Sequence, residues 1–262
     1  MKLTIHQIDA FTSSLFKGNY AAVIPLESWL SDELMLNIGA ENNVSETAFT
    51  CLKADGSYAI RWFSPLMEID FCGHATLAAA YVLCEEHNIS QVRFTAEAVG
   101  ELIVNKKSDG SFAMTFPKQA PTKVEDIPDA LLKGLSIQPV LVFKNRQAYF
   151  AIYDNAQQIH ELTTNSALLK TLHPFDVVVS ASSAEYDIVS RYFWPASGGE
   201  EDFVTGSIHT GLAPYWAQQL GKNKLNAYQA SSRGGFIQCE VGESTVTLTG
   251  HAVRYLKGTI YI

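Results

Sequence analysis

The chain has 262 residues, 47% hydrophobic and 18% charged, with 14 Phe, 11 Tyr and 4 Trp, a composition that supports a sizeable buried core and excludes disorder. Its net charge of −8, with 19 Lys and Arg in no basic run, repels a phosphate backbone and excludes nucleic acid as a partner. Cys51, Cys72, Cys84 and Cys239 show no C-x-x-C spacing, as expected of reduced thiols in a cytoplasmic protein rather than a disulfide framework.

Met1–Ala10 alternates apolar and polar residues and lacks the basic and apolar regions of a signal peptide. No apolar run approaches the roughly 18 residues that span a bilayer, so no membrane association is expected. Leu3–Ala10 and Ala21–Leu26 read as strands around a loop ending in Gly18-Asn19. Ser31, followed by Asp32 and Glu33, reads as an N-cap, and the helix it opens stops at Asn42-Asn43. Glu46–Leu52 and Tyr58–Phe63 form a hairpin across Asp55-Gly56. Gly73 opens an apolar helix in which Leu77, Ala80, Tyr81 and Cys84 recur at helical spacing. Strands Val92–Ala96, Glu101–Lys106 and Phe112–Phe116 complete an antiparallel group. Prolines 117, 121, 128 and 139 mark a polar crossing segment, which places the domains at 1–117 and 118–262, with the last strand free to return to the first domain.

The second half repeats the plan. Strands are expected at Val140–Phe143, Ala148–Tyr153, Asp176–Ser180 and Ile188–Trp194, with a short helix after Asn155. A second helix runs from Gly206 to Leu220, followed by strands Leu225–Gln229, Gly235–Val241, Ser244–Leu248 and Val253–Ile262. Arg61-Trp62-Phe63-Ser64-Pro65 is echoed by Arg191-Tyr192-Phe193-Trp194-Pro195, and in both copies an irregular loop leads to Gly and an apolar helix, the second loop being three residues longer. Such self-similarity points to duplication, hence to two related halves and a cleft.

A helix start presents unpaired N–H groups and the positive end of the macrodipole, so it attracts carboxylates. Gly73-His74-Ala75-Thr76 and Thr205-Gly206-Ser207-Ile208-His209 each set a small residue beside a hydrogen-bonding side chain. As a pair they suggest a site for a small carboxylate substrate, with Gly73, Thr76, Thr205 and Gly206 as binding residues. Either alone reads as a capped core helix. Glu46 stands among apolar and small residues where a half-buried strand begins. Burial there is expected to raise its pKa towards the range in which it takes and returns a proton; the alternative is an exposed strand-end glutamate. Asp202, in the loop before the second helix, is a second carboxylate of interest, though Glu200-Glu201-Asp202 also fits a solvated acidic run. Cys72 suits a thiolate racemase base, but the repeat aligns it with Thr205, whose hydroxyl cannot be the second thiol. The histidines show no H-x-x-x-H or H-E-x-x-H spacing, and the usual phosphate and dinucleotide glycine motifs are missing, so no metal or cofactor is expected.

Several separated motifs together resemble the phenazine-biosynthesis PhzF-like family: Asp9-Ala10-Phe11-Thr12, Phe16-Lys17-Gly18-Asn19, Asn43-Val44-Ser45-Glu46-Thr47-Ala48-Phe49, Asp70-Phe71-Cys72-Gly73-His74-Ala75-Thr76, Arg191-Tyr192-Phe193, Glu201 to His209, and Arg233-Gly234-Gly235. The resemblance covers nearly the whole chain. It implies a diaminopimelate-epimerase-like α+β fold, with each of two pseudo-repeated domains wrapping a mostly antiparallel, barrel-like sheet around a central helix and the active site between them. It also implies a cofactor-independent isomerase, commonly a homodimer, with the catalytic glutamate at Glu46 and accompanying site residues at Gly73, His74, Asp202, Gly206 and Ser207. Tyr20 and Phe203 stand where the family usually has proline, and Ala75 stands where the phenazine enzyme has proline. These departures argue against carrying over that enzyme's substrate, and beside the isomerase and the Cys72 racemase stands a third reading, a non-catalytic small-anion binding protein that kept the cleft and lost the chemistry.

Overall fold

Parallel and antiparallel pairings alternate along the chain, and the helices sit where parallel neighbours need a crossover. The computed structural model describes residues 1–262. It divides into two units, one of Met1–Thr115 with Thr249–Ile262 and one of Phe116–Leu248.

In the first unit, β1 (Lys2–Ala10) pairs antiparallel with the C-terminal strand Ala252–Tyr261 and with β2 (Asn19–Leu26). Helix α1 (Asp32–Asn42) carries the chain across to β3 (Glu46–Leu52), which runs parallel to β2. β4 (Tyr58–Phe63) returns antiparallel to β3, and β5 (Glu68–Ile69) folds back on β4. Helix α2 (Gly73–His87) then crosses to β6 (Gln91–Ala96), parallel to β4. β7 (Gly100–Lys106) and β8 (Phe112–Pro117) follow antiparallel.

Local chemistry explains the breaks. Ser31 Oγ caps α1 by accepting from Leu34 N at 3.3 Å, and Asn43 ends the helix in the left-handed region at φ 48°. The β3–β4 hairpin turns at Gly56 (φ +79°), where Asp55 accepts from the Ser57 amide and hydroxyl at 3.0 and 2.6 Å. Asp109-Gly110-Ser111 repeats the device between β7 and β8. One face of α1 packs Met35 and Ile38 on Ile24, Phe49 and Phe63, the two rings meeting edge to face at 5.5 Å. Helix α2 is buried from His74 to Cys84 except for half-buried Tyr81 and packs against β1, β2, β3, β6 and β7, making it the central helix of its unit.

The second unit contains β9 (Thr122–Lys123), α3 (Asp129–Gly134), β10 (Leu141–Lys144), β11 (Ala148–Ile152), α4 (Ala156–Glu161), α5 (Ser166–Leu169), β12 (Asp176–Ser182), β13 (Ile188–Phe193), β14 (Glu201–Asp202), α6 (His209–Leu220), β15 (Lys224–Gln229), β16 (Gly235–Val241) and β17 (Thr245–Gly250). Its pairings reproduce the first unit's: β11 parallel to β12, β13 antiparallel to β12, β14 folded back on β13, β15 parallel to β13 and β16 antiparallel to β15. Register agrees too, since Thr47 opposes Phe63 and Val177 opposes Phe193.

The echoed arginines hold the same place in each copy. Arg61 forks onto Glu68 and lies over the Phe63 ring; Arg191 forks onto Glu201 at 2.7 and 2.8 Å and lies over Phe193. Most boundaries shift by one or two residues, and the start of the second helix shifts by three. The second helix opens at His209 rather than Gly206, because residues 206–208 form a tighter turn in which His209 N and Thr210 N donate to Gly206 O and Ser207 O. No helix is long and apolar enough to cross a membrane.

Arg191 also donates to the carbonyls of Ile159 and Leu162 at the end of α4, whereas Arg61 reaches Asp32, which is 79% exposed. Arg191→Met is therefore expected to cost about 3 kcal/mol by orphaning two carbonyls and a half-buried carboxylate. Arg61→Met should cost about 1 kcal/mol or less. Urea unfolding of both variants compares them, and equal losses would show that the α4 carbonyls contribute nothing.

Candidate active site

Glu46 is the first residue of β3, set there because Asn43 ends α1 in the left-handed region and Ala21 of β2 fixes its parallel register. Cys72 is the N-cap residue of α2 and makes no side-chain cap. Its carbonyl instead accepts from the Thr76 amide at 3.0 Å and the Thr76 hydroxyl at 2.6 Å. Thr76 is fully buried and braces the helix start from inside. Gly73 and His74 follow as the first two helical residues, where amides lack intrahelical acceptors.

These pieces converge. His74 Nε2 lies 2.9 Å from Glu46 Oε2. The Cys72 thiol donates to the same oxygen at 3.5 Å and lies 3.4 Å from His74 Nδ1. Asn19, wholly buried at the start of β2, meets His74 Nδ1 at 3.2 Å and accepts from the Ser45 hydroxyl at 3.0 Å. The Asn19 atom facing Nδ1 is its amide nitrogen Nδ2, while Oδ1 takes the Ser45 proton; turned end for end, the same amide would accept from Nδ1 of an imidazolium and donate to Ser45.

The charge state follows from this packing. Burial pushes the Glu46 carboxyl up, but the charge and hydrogen bond of His74, with the Cys72 hydrogen bond, outweigh it and hold its pKa below the ordinary value. Burial would depress His74, yet Cys72 and Glu46 beside it raise its pKa well above the usual histidine value. Together they form a carboxylate–imidazolium pair. The sequence-based expectation of a raised Glu46 pKa is thus corrected: burial is present, but its ion-pair partner dominates. Burial also pushes the Cys72 thiol up to about 11, so it is a proton donor at neutral pH.

The second unit holds its own polar cluster. Asp202 ends β14, and its carboxylate accepts from the Thr205 hydroxyl at 2.5 Å. Gln229, wholly buried in β15, accepts from Thr205 N and donates to Asp202 O, both at 2.9 Å, pinning the loop between them. Gly206 and Ser207 lie in the turn before α6, and Ser207 Oγ accepts from Gln147 Nε2 at 2.9 Å. That amide also reaches the Tyr192 hydroxyl at 3.0 Å, which donates to Asp176 at 2.7 Å. Burial raises the Asp176 carboxyl and, helped by Asp176, the Tyr192 hydroxyl.

Of the residues singled out from sequence, Glu46, His74, Gly73 and Thr76 meet around the α2 start, and Asp202, Thr205, Gly206 and Ser207 around the turn into α6. Asn19, Gln147, Asp176 and Gln229 were not assigned roles. Their signal is register: Asp176 precedes Val177 of β12 as Glu46 precedes Thr47 of β3, so it is the repeat equivalent of the glutamate.

The phenazine biosynthesis-like PhzC-PhzF family model matches residues 8–258. A Pseudomonas aeruginosa protein named an uncharacterized isomerase is 46% identical over 263 residues, covering 100% of both chains. A solved PhzF-family phenazine biosynthesis protein from Enterococcus faecalis superposes with a TM-score of 0.95 at 40% identity, covering 100% of each chain. A structure titled a predicted epimerase, from Pseudomonas aeruginosa, shares the fold alone, with a TM-score of 0.75 at 18% identity over 99% of each chain. On this agreement of motif, fold and full-length similarity, the chain belongs to the phenazine biosynthesis-like PhzC-PhzF family, whose similar members are named isomerases and whose fold is diaminopimelate-epimerase-like.

Proposed function

We propose that the protein is a cofactor-independent isomerase that moves a proton between two carbons of a small carboxylate-bearing metabolite, with Glu46 as its acid and base. The contact of 2.9 Å between Glu46 and His74 carries this reading. A carboxylate held against an imidazolium is ionised and ready to accept a proton, but it is a weak base while the pair is intact. When a substrate oxygen draws the His74 proton, Glu46 gains basicity as negative charge develops on the substrate. The resulting delocalised anion is stabilised by His74 and by the Gly73 and His74 amides, the larger part of catalysis in such sites. Protonated Glu46 then returns its proton to the second carbon, so none is consumed. Asp202 and Ser207 are assigned, with His74, to stabilising that anion, and Gly73, Thr76, Thr205 and Gly206 to binding the substrate.

An amino-acid racemase reading has one observation in its favour, the 3.5 Å contact of Cys72 with Glu46. It is weaker, because burial keeps this thiol protonated and the repeat puts Thr205 where a second thiol is needed. Cys72→Ser keeps a donor to Glu46, so turnover should fall by less than about 10-fold on the proton-shuttle reading. Total loss of activity, with α-carbon exchange confined to amino acids, would favour the racemase.

Glu46→Gln preserves shape and removes the shuttle. With a panel of small carboxylic acids in heavy water, the wild type should build one solvent deuterium into a carbon of its substrate, and the variant should do so about 10²–10⁴-fold more slowly. Mass spectrometry reads this, and an undiminished rate in Glu46→Gln would remove the residue from the chemistry.

The same pair fixes a pH window. Glu46 lies below 4.5, so its contribution to stability is present above that pH and lost as pH falls through its depressed value. His74 lies above 6.5, so its contribution is present below that pH and lost as pH rises through its raised value. The Tm advantage of wild type over Glu46→Gln should be largest between pH 4.5 and 6.5 and shrink on both sides. A calorimetric advantage that kept growing with pH would contradict the ion pair.

A further inference from the structure

Two hydroxyls border the turn into α6, and a glutamine amide reaches each of them. Gln229 Nε2 lies 3.3 Å from Thr205 Oγ1, and Gln147 Nε2 lies 2.9 Å from Ser207 Oγ. A hydroxyl has one proton to donate. Thr205 gives its proton to the Asp202 carboxylate at 2.5 Å. Ser207 differs: it is half-buried, its oxygen accepts from Gln147, and no side chain or carbonyl takes its own proton.

The direction of the Gln147 contact is set from behind. Asp176 accepts at both oxygens, from Tyr192 Oη at 2.7 Å and from Ser197 Oγ at 3.2 Å, as an ionised carboxylate does. The Tyr192 proton is thereby committed, so the buried Tyr192 oxygen can only accept from its other neighbour, Gln147 Nε2, 3.0 Å away. An amide donates only from its NH₂ end, and the second N–H of that same nitrogen meets Ser207 Oγ. Turned end for end, Gln147 would set Oε1 against a tyrosine oxygen with no proton left to share. The backbone holds Gln147 in place as well, since Gln147 O accepts from Asp176 N at 3.1 Å and Gln147 N donates to Asn145 Oδ1 at 2.8 Å.

We propose that Gln147 is a positioning residue that fixes Ser207 as a hydrogen-bond donor, an inference that rests on the assignment of Ser207 to the substrate anion. With its lone pair engaged by Gln147, the Ser207 hydroxyl turns its proton towards a substrate oxygen that carries negative charge. A substrate hydroxyl or ammonium at that point would meet a second donor and be left unpaired. Asp176 and Tyr192 act through Gln147, and the order of the three side chains sets the polarity of the fourth.

Neutron diffraction from crystals of the full chain, exchanged into heavy water near neutral pD, reads these bonds directly. Expected are two deuterons on Gln147 Nε2 aimed at Tyr192 Oη and Ser207 Oγ, one on Tyr192 aimed at Asp176, and a Ser207 deuteron turned away from Gln147. A deuteron between Ser207 Oγ and Gln147 Oε1, or one carried by Asp176 and pointing at Tyr192, overturns the proposal. Kinetics give a second arm, using whichever small carboxylic acid the wild type labels fastest with deuterium. Ser207→Ala should lower kcat about 100-fold and Gln147→Met about 10-fold, with KM changed less than about threefold in each. Introduced into Ser207→Ala, Gln147→Met should slow exchange by less than about twofold more, since both changes remove the same donor. Equal losses from Gln147→Met in the two backgrounds would show that it does not act through Ser207. The neutron map needs neither variant nor substrate, so it decides even if Gln147→Met fails to fold. A reversed map leaves the deuterium result for Glu46→Gln standing, and undiminished exchange in Glu46→Gln leaves the map standing.

Discussion

Parallel pairing is the constraint from which each unit's arrangement follows. Parallel neighbours cannot be joined by a tight turn and need a crossover, here helical. In the first unit that requirement produces α1 between β2 and β3 and α2 between β4 and β6. It also brings the start of β3 to the start of α2, so that Glu46 meets His74 and Cys72 although 26 positions separate Glu46 from Cys72 in the chain. The central helix is mostly apolar, and its buried polar groups, His74 and Thr76, lie in the first turn, whereas Glu85, Glu86 and His87 end it at the surface.

Electrostatics at that turn run against burial. A carboxylate and an imidazole removed from water each favour neutrality, yet each supplies the opposite charge that keeps the other ionised. Asn19, Ser45 and the Cys72 thiol satisfy the remaining hydrogen-bonding atoms.

Duplication kept the ladder and the arginine fork while changing the chemistry. Where the first copy has Glu46, Cys72 and His74, the second has Asp176, Thr205 and Ser207 at equivalent positions. The glutamate is paired with a base, but the aspartate is paired with a tyrosine hydroxyl, and burial raises its carboxyl rather than lowering it. The same backbone thus supports an ionised group in one copy and a carboxyl pushed towards neutrality in the other.

Much of this was legible in the residues. Period-two alternation in Leu3–Ala10, the Asp-Gly turns, the Ser31 cap and the echo of Arg61–Pro65 at Arg191–Pro195 each act over a few positions, so sequence by itself determined the strands, turns, central helices and the repeat. The residue types at the two helix starts were legible for the same reason. Tertiary structure alone decided the rest. Whether Glu46 is raised or lowered depends on which charge lies 2.9 Å away, and that neighbour comes from another element. Asn19, Gln147 and Asp176 acquire partners only once strands are in register, and α6 starts at His209 because the preceding turn closes on its own carbonyls. Periodicity reports which side of an element is buried; it carries no information about which atom the fold sets against it.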